Sequence, residues 1–387
     1  MADGHKLAGP RILCVHQGAE LYGSDRSFLQ TVVALREGWP NANIRVVLAV
    51  DGPLRAMLAQ VADSVTVRDL CVLRLVNPMT TGLKATIALP WYLLAAIRDI
   101  ARADFVYINT TVIADYMLAA RVAPRRAVIH VREIPKPKAR SVIRGLCRVS
   151  GAHIIFNSHA TQDAFALPPA QPQVVIHNGV DFVTGPDPLE LPDAFTVARP
   201  LRMAMLGRIN DWKGQDLLVE AVATLPPEDR ARVRVRIVGS SFRDAAEPVT
   251  ILSDQIAAAG LGSIVTLEPF KDDPDEVYRW ADICVVPSRM PEPFGRVAIE
   301  AMAHGRAVIA AAHGGLTEIV HDPISGWLFP PNDAGALGRI IAEAIRQPGA
   351  VERRGKGSEA RFSEHFSSVT MSRRFRETLA RWIVALR

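Results

Sequence analysis

The run Ile283-Cys-Val-Val-Pro-Ser-Arg-Met-Pro-Glu-Pro-Phe-Gly-Arg-Val-Ala-Ile-Glu300 decides the fold of this 387-residue chain. Its first four residues are continuously apolar, as in a strand buried on both faces. A proline-containing loop follows, and helical spacing opens at Phe294–Gly295. Two carboxylates bracket that opening, Glu292 before the helix and Glu300 inside it. The first N–H groups of a helix lack intrahelical partners and lie at the positive end of its dipole, so they attract anions. Glu300 lies roughly 7–8 Å into the helix at ~1.5 Å per residue, about the reach from a diphosphate to the adjoining ribose. Glu292 then faces whatever the other phosphate carries. The alternative on these residues alone is a solvated stripe, Arg296–Glu300–His304, held by an ordinary ion pair.

Outward from this run the same strand–loop–helix pattern repeats. In the first half, strands are expected at 11–16, 45–50, 105–109, 127–131, 153–157 and 174–177. Helices are expected near 24–35, 53–61, 83–103, 111–122, 141–149 and 158–166. Residues 185–200 are acidic and dotted with proline, which reads as a linker. Strands then recur at 201–206, 233–238, 264–267, 282–286, 307–310 and 327–329, with helices near 214–224, 248–260, 273–280, 295–304 and 332–347. A last helix over about 357–386 carries an apolar stripe of Phe375, Leu379, Trp382 and Ile383. The expected architecture is α/β, with two Rossmann-like parallel-sheet domains facing across a cleft. The domains are 1–184 and 185–364, with the helix from about 365 to 387 returning to the first. No GxGxxG dinucleotide fingerprint follows a strand.

Composition narrows the class. Hydrophobic residues make up 49% and charged residues 22%, which fits a globular chain and excludes disorder. The four cysteines are scattered without a CxxC pair, as expected of reduced packing residues. The first residues lack a signal-peptide core, and the longest apolar run, 87–97, is short and broken by Pro90, so a cytoplasmic protein is expected. Net charge is +5. The excess concentrates in 125–148, where Arg125, Arg126, Arg132, Lys136, Lys138, Arg140, Arg144 and Arg148 face a single acid, Glu133. That cluster, beside the aromatic and apolar 86–97, suits peripheral contact with an anionic membrane at the inner face of the plasma membrane. A solvated basic face beside a core helix is the plainer reading.

Other strand ends in the second half carry compatible chemistry. After 201–206 come Gly207, Arg208, Lys213 and Gly214, two cations able to clamp a departing diphosphate. Gly239 follows 233–238, and Gly314-Gly315 follow 307–310. Asp273-Pro-Asp275 spells a metal-binding DxD pattern, but it opens a helix and reads as a cap.

Gly207-Arg208…Lys213-Gly214, Asn178-Gly-Val-Asp181, Glu292-Pro-Phe-Gly-(x)4-Glu300 and Gly314-Gly-Leu-Thr-Glu-Ile-Val320…Gly326-Trp-Leu together resemble the signature set of family 4 of the retaining nucleotide-sugar glycosyltransferases, which have the GT-B fold. The resemblance is dense over about 176–333 and mainly topological before that. It implies that Arg208 and Lys213 hold the donor diphosphate, that Glu300 binds the ribose and that Glu292 contacts the transferred sugar. Backbone N–H groups of Phe294, Gly295 and Arg296 would meet sugar and phosphates, with Gly207, Gly239, Pro293 and Val297 completing the donor site. It also implies retention of anomeric configuration, no cofactor and no essential metal. In the first half, where the family shows Gly-Gly-Ala-Glu, this chain has Tyr22-Gly23-Ser24-Asp25. Gly23 and Ser24 can still offer N–H groups to donor or acceptor. Tyr22, Asn109, His130 and Arg132 are acceptor-side candidates, and His130 could accept a proton or hydrogen-bond the sugar.

The expected function is retaining transfer of a sugar from a nucleoside diphosphate to a glycan or lipid-linked acceptor, in bacterial cell-surface polysaccharide assembly, with no nucleic-acid partner. The competing readings are an epimerase or phosphorylase on the same scaffold, and a non-catalytic protein binding a nucleotide sugar or, through 125–148, nucleic acid.

Overall fold

The computed structural model describes residues 9–21, 23–73, 78–181, 189–241 and 246–383, the side chains of 78–87 excepted. Tyr22, the loop at 74–77 and residues 182–188, which include the start of the expected linker, lie outside the described residues. The chain divides into two compact units, Met1–Asn178 with Ser368–Arg387, and Gly179–Ser367.

The first unit holds seven parallel strands: β1 (Arg11–His16), β2 (Asn43–Leu48), β3 (Ser64–Val67), β4 (Phe105–Asn109), β5 (Ala127–Val131), β6 (His153–Phe156) and β7 (Gln173–Val175). Their order is β3-β2-β1-β4-β5-β6-β7. The second unit holds six: β8 (Leu201–Leu206), β9 (Val233–Val238), β10 (Val265–Glu268), β11 (Ile283–Val286), β12 (Ala307–Ala311) and β13 (Gly326–Phe329), in the order β10-β9-β8-β11-β12-β13. Alternation along a strand sends neighbours to opposite faces. Ile12 and Cys14 enter one core while Leu13 and Val15 enter another. In the second unit Met203 and Met205 join one core and Ala204 the other. Both faces of each sheet are therefore covered, which is why the strands read as unbroken apolar runs.

In each sheet the order reverses once, between β1 and β4 and between β8 and β11. Chain leaving the two strands at such a point departs to opposite faces and opens a crevice at their carboxyl ends. The loops leaving β8 and β11, which carry Lys213 and Glu292, start at that point of the second unit.

Three expectations are corrected. β3 was not foreseen, because its Ser-Val-Thr-Val run is exposed and lacks a buried strand's apolar signature. The last helix is two: Pro348–His365 and Ser368–Trp382. Between them Phe366 is buried against Phe294, ring centroids 6.1 Å apart, and Val180 donates to its carbonyl at 3.0 Å. The helix expected at 141 begins at Pro137, whose locked φ suits a first turn. In the first unit Met371, Phe375, Leu379 and Ile383 share a core with Phe28, Val32 and Leu35. Trp382 stacks on His153 at 4.8 Å, and Arg376 pairs with Glu37 at 3.0 Å.

Candidate functional site

At the reversal point of the second sheet, Lys213 Nζ lies 2.6 Å from Glu292 Oε1. Lys213 comes from the loop after β8 and Glu292 from the loop after β11. Ser288 Oγ donates to the same oxygen at 2.6 Å, and His313 Nε2 donates to the Ser288 carbonyl at 2.8 Å. Glu292 is buried. Burial alone would raise its carboxyl, but Lys213, Ser288 and His313 outweigh burial and hold it below the usual carboxylate range. The site thus keeps the Glu292 carboxylate ionised although it is buried.

Two glycines make this packing feasible through close approach. A Cβ on Gly314 would fall 2.4 Å from the Glu292 carbonyl oxygen, so only glycine lets the turn after β12 lie against that backbone. Gly315 N then donates to the same oxygen at 2.8 Å. Gly239 is explained by its neighbour: its Cβ would overlap the Gly207 carbonyl, so the ends of β9 and β8 close on each other there.

The helix Arg296–Ala303 opens directly beyond, with Gly295 as its N-cap. Phe294 is buried in the core, so only its backbone can face a ligand, while Pro293 and Val297 are part-exposed. Glu300 Oε1 pairs with Arg296 Nε at 2.7 Å, and its Oε2 accepts from Tyr278 OH at 2.9 Å. The ion pair of the plainer reading is therefore present, but His304 meets the Glu300 carbonyl, at 2.8 Å, rather than its carboxylate, and lies 3.4 Å from Asp275. Burial and then the Glu300 charge push the Tyr278 phenol well above its ordinary value, so it stays a donor to that carboxylate. Arg208 is part-buried beside Gly207, and its carbonyl accepts from Gln215 Nε2 at 3.0 Å. Asp273 Oδ1 accepts from the Asp275 N–H at 3.0 Å. Among the described residues no group of three or more His, Cys, Asp or Glu side chains is placed to hold a metal ion.

The first unit gathers a second cluster at its own reversal point. Arg132 is buried and donates through Nε to Asn109 Oδ1 at 2.6 Å, through Nη1 to Asn178 Oδ1 at 2.5 Å and through Nη2 to His130 Nδ1 at 3.2 Å. A guanidinium can only donate. His130 Nδ1 is therefore an acceptor, and the ring proton sits on Nε2, a buried nitrogen with no hydrogen-bond partner among the described residues. Burial, reinforced by the Arg132 charge, holds His130 well below its ordinary value, so the ring is neutral. It offers a proton and does not take one. Since Asn109 Oδ1 faces Arg132, its amide nitrogen donates to His16 Nδ1 at 2.8 Å, and His16 Nε2–H donates to Asp25 Oδ1 at 2.7 Å. Tyr107 OH lies 2.7 Å from His130 Nδ1 and 3.1 Å from Asn109 Oδ1. Gly23 opens the helix Gly23–Gly38, and Ser24 Oγ donates to Asp25 at 3.3 Å.

The expected residues thus fall into two groups: Asn109, His130 and Arg132 with Gly23 and Ser24 nearby in the first unit, and Lys213 with Glu292, beside Arg208 and Glu300, in the second. Arg132, counted within the basic surface cluster, is withdrawn into the interior. Ser288, His313, Tyr278, His16, Asp25 and Tyr107 were not anticipated. Asp25 had a signal, since it fills the acidic position of the Gly-Gly-Ala-Glu pattern. The others touch the site only through folding.

Two parallel α/β units with these strand orders, one carrying a paired Lys–Glu at its switch point, define a protein of the GT-B class. Residues 195–361 match the glycosyl transferases group 1 family. It is similar to the D-inositol 3-phosphate glycosyltransferase of Mycolicibacterium smegmatis, 40% identical over 167 residues, which are 42% of this chain and 36% of that one. The counterpart from Mycolicibacterium vanbaalenii is 32% identical over 260 residues, 62% and 56% of the two chains. The chain thus spans between about a third and somewhat over half the length of these curated relatives. Among solved structures, Anabaena HepE in complex with UDP and glucose superposes with a TM-score of 0.77 at 27% identity, over 96% of this chain and 99% of that one.

Proposed function

We propose that this chain is a retaining glycosyltransferase that moves a sugar from a nucleoside diphosphate to a glycan or lipid-linked acceptor in bacterial cell-surface polysaccharide assembly. The observation that carries the reading is the pairing of part-buried Lys213 with buried Glu292 at the switch point of the second sheet, 2.6 Å apart and beside a helix N-terminus. In the reaction the bond from the anomeric carbon to the diphosphate oxygen breaks and the diphosphate leaves with the electron pair. The acceptor oxygen bonds to the same face of that carbon, and its proton leaves with the diphosphate. Lys213, Arg208 and the N–H groups of Gly295 and Arg296 would neutralise the diphosphate charge as it develops. Glu292 would orient the sugar and Glu300 the ribose hydroxyls. His130, as a neutral Nε2–H donor, would hydrogen-bond a sugar oxygen and would not act as a base. No step requires a metal.

Uridine diphosphate glucose heads the donor screen, because a HepE structure 26% identical to this chain holds UDP-glucose. A thermal-shift series against UDP-, GDP-, ADP- and dTDP-sugars identifies the nucleotide, since a ligand of the native state raises apparent stability by mass action. Turnover with acceptor should fall at least about a hundredfold in Lys213→Ala and Glu292→Ala. Unchanged turnover in both sinks the proposal. Isomerised donor without acceptor would indicate an epimerase, a phosphate requirement a phosphorylase, and loss of activity in chelator a metal enzyme.

A further inference from the structure

In the first unit three elements cover one face of the sheet: the helix Pro78–Ala101, the turn Ala120–Val122 and the helix Pro137–Ser150. Buried side chains from all three enter a single core, among them Ile100, Ala120, Ile143 and Cys147. Their outer side has an unusual composition. From Ala88 to Gly151 every exposed charged side chain is an arginine or a lysine. The acids of that stretch are withdrawn: Asp99 binds Arg45 and Arg68, Asp104 binds Arg11, Asp115 is buried and Glu133 accepts from Thr111.

Exposed apolar side chains interleave with those cations at helical spacing. Trp91, Leu94 and Arg98 stand at i, i+3 and i+7, one stripe of the first helix, with exposed Arg102 just past its end, and Trp91 is 73% exposed. On the second helix Lys138, Val142 and Val149 share one stripe, with Arg144 and Arg148 on the next. The turn between the helices exposes Arg121 and Val122.

We propose that this outer surface is a docking face for an anionic lipid bilayer, with Trp91, Leu94, Val122, Val142 and Val149 entering the interface while the arginines and lysines meet the headgroups. Charge complementarity names the occupant. Indole belongs at the interfacial level, and long cationic side chains bury their stems while keeping their heads in water. Nucleic acid fits less well, since valine and leucine neither stack on bases nor contact phosphate, and Trp91 is the lone exposed aromatic among the residues named here. Among the described residues no helix is long and apolar enough to cross a membrane, so this contact is peripheral. It does not depend on the donor chemistry proposed above.

The test is flotation of the full chain with vesicles of phosphatidylcholine alone or with about 30% phosphatidylglycerol, at about 0.1 M and about 0.5 M salt. Binding is expected only to the anionic vesicles, weakening at the higher salt. Arg144→Glu with Arg148→Glu should lower the affinity at least about tenfold, and Trp91→Ser with Leu94→Ser about tenfold. These positions are exposed, so unchanged thermal unfolding and unchanged sugar transfer to a soluble acceptor establish that the variants are intact. No binding to anionic vesicles overturns the proposal. So does binding that both double variants leave intact, or tighter binding to duplex DNA or RNA that the arginine variant abolishes.

Discussion

Lys213 and Glu292 stand 79 positions apart in the chain and 2.6 Å apart in space. Each belongs to a loop leaving a different strand at the reversal point of the second sheet. Their pairing makes the crevice a charged and structured site.

Breaking the pair should be costly. Lys213→Met leaves the buried Glu292 carboxylate without its cation, and removing one partner of a buried pair costs about 3–5 kcal/mol. The lower end is expected here, because the Lys213 side chain is still 21% exposed. Adding Glu292→Gln should recover part of the loss. A double-mutant cycle on thermal unfolding checks this, and additive effects would deny the coupling.

The same pair sets an acid limit. The folded Glu292 carboxyl titrates below its ordinary 4.5, so near and somewhat below that pH the unfolded chain binds more protons than the folded one. The contribution to stability is present above about pH 4.5 and is lost as pH falls through the folded value. In Lys213→Met the carboxyl should titrate higher, so the stability lost through this group on acidification should shrink or reverse. A family of melts between about pH 3 and 7 reads the shift directly.

His130 should show a single neutral tautomer. Nitrogen NMR of labelled imidazoles should find the proton on Nε2, unprotonated well below its ordinary 6.5. Its folded value is depressed, so the stability it supports is present above about pH 6.5 and falls away on acidification. Arg132→Met removes a cation facing the ring and should raise its titration. A wild-type signal from the Nδ1–H form would contradict the hydrogen-bond assignment.

Phe375→Ala tests the return of the C-terminal helix. The ring is buried beside Tyr107, edge to face at 5.7 Å, in the first unit's core. Deleting a buried phenylalanine costs about 3–5 kcal/mol. The first unit should lose that stability while donor-induced stabilisation of the second is retained, which two-transition calorimetry can separate.

Glu300 should act on binding more than on turnover. Glu300→Gln keeps the shape but removes the charge shared by Arg296 and Tyr278, and hydrogen bonds to charged groups contribute about 1.5–3 kcal/mol. Donor KM is expected to rise about tenfold to a hundredfold with kcat within about threefold. A large fall in kcat alone would assign Glu300 a different role.

Much of this molecule is determined locally and was legible in the chain. Continuous apolar runs such as Ile283–Val286, bounded by turn residues, read as strands covered on both sides, and their alternation with helices points to a parallel α/β sheet. The spacing from Glu292 to Glu300, the cations Arg208 and Lys213 and the glycines near them lie within single loops or one helix. Tertiary structure alone decided the partners. That Lys213 meets Glu292, that Ser288 and His313 hold it, and that Arg132 draws Asn109, His130 and Asn178 into one network all depend on which strands become neighbours. Periodicity reports only whether a side chain faces inward. The strand order of each sheet, settled by contacts tens of residues apart, decides what it finds there.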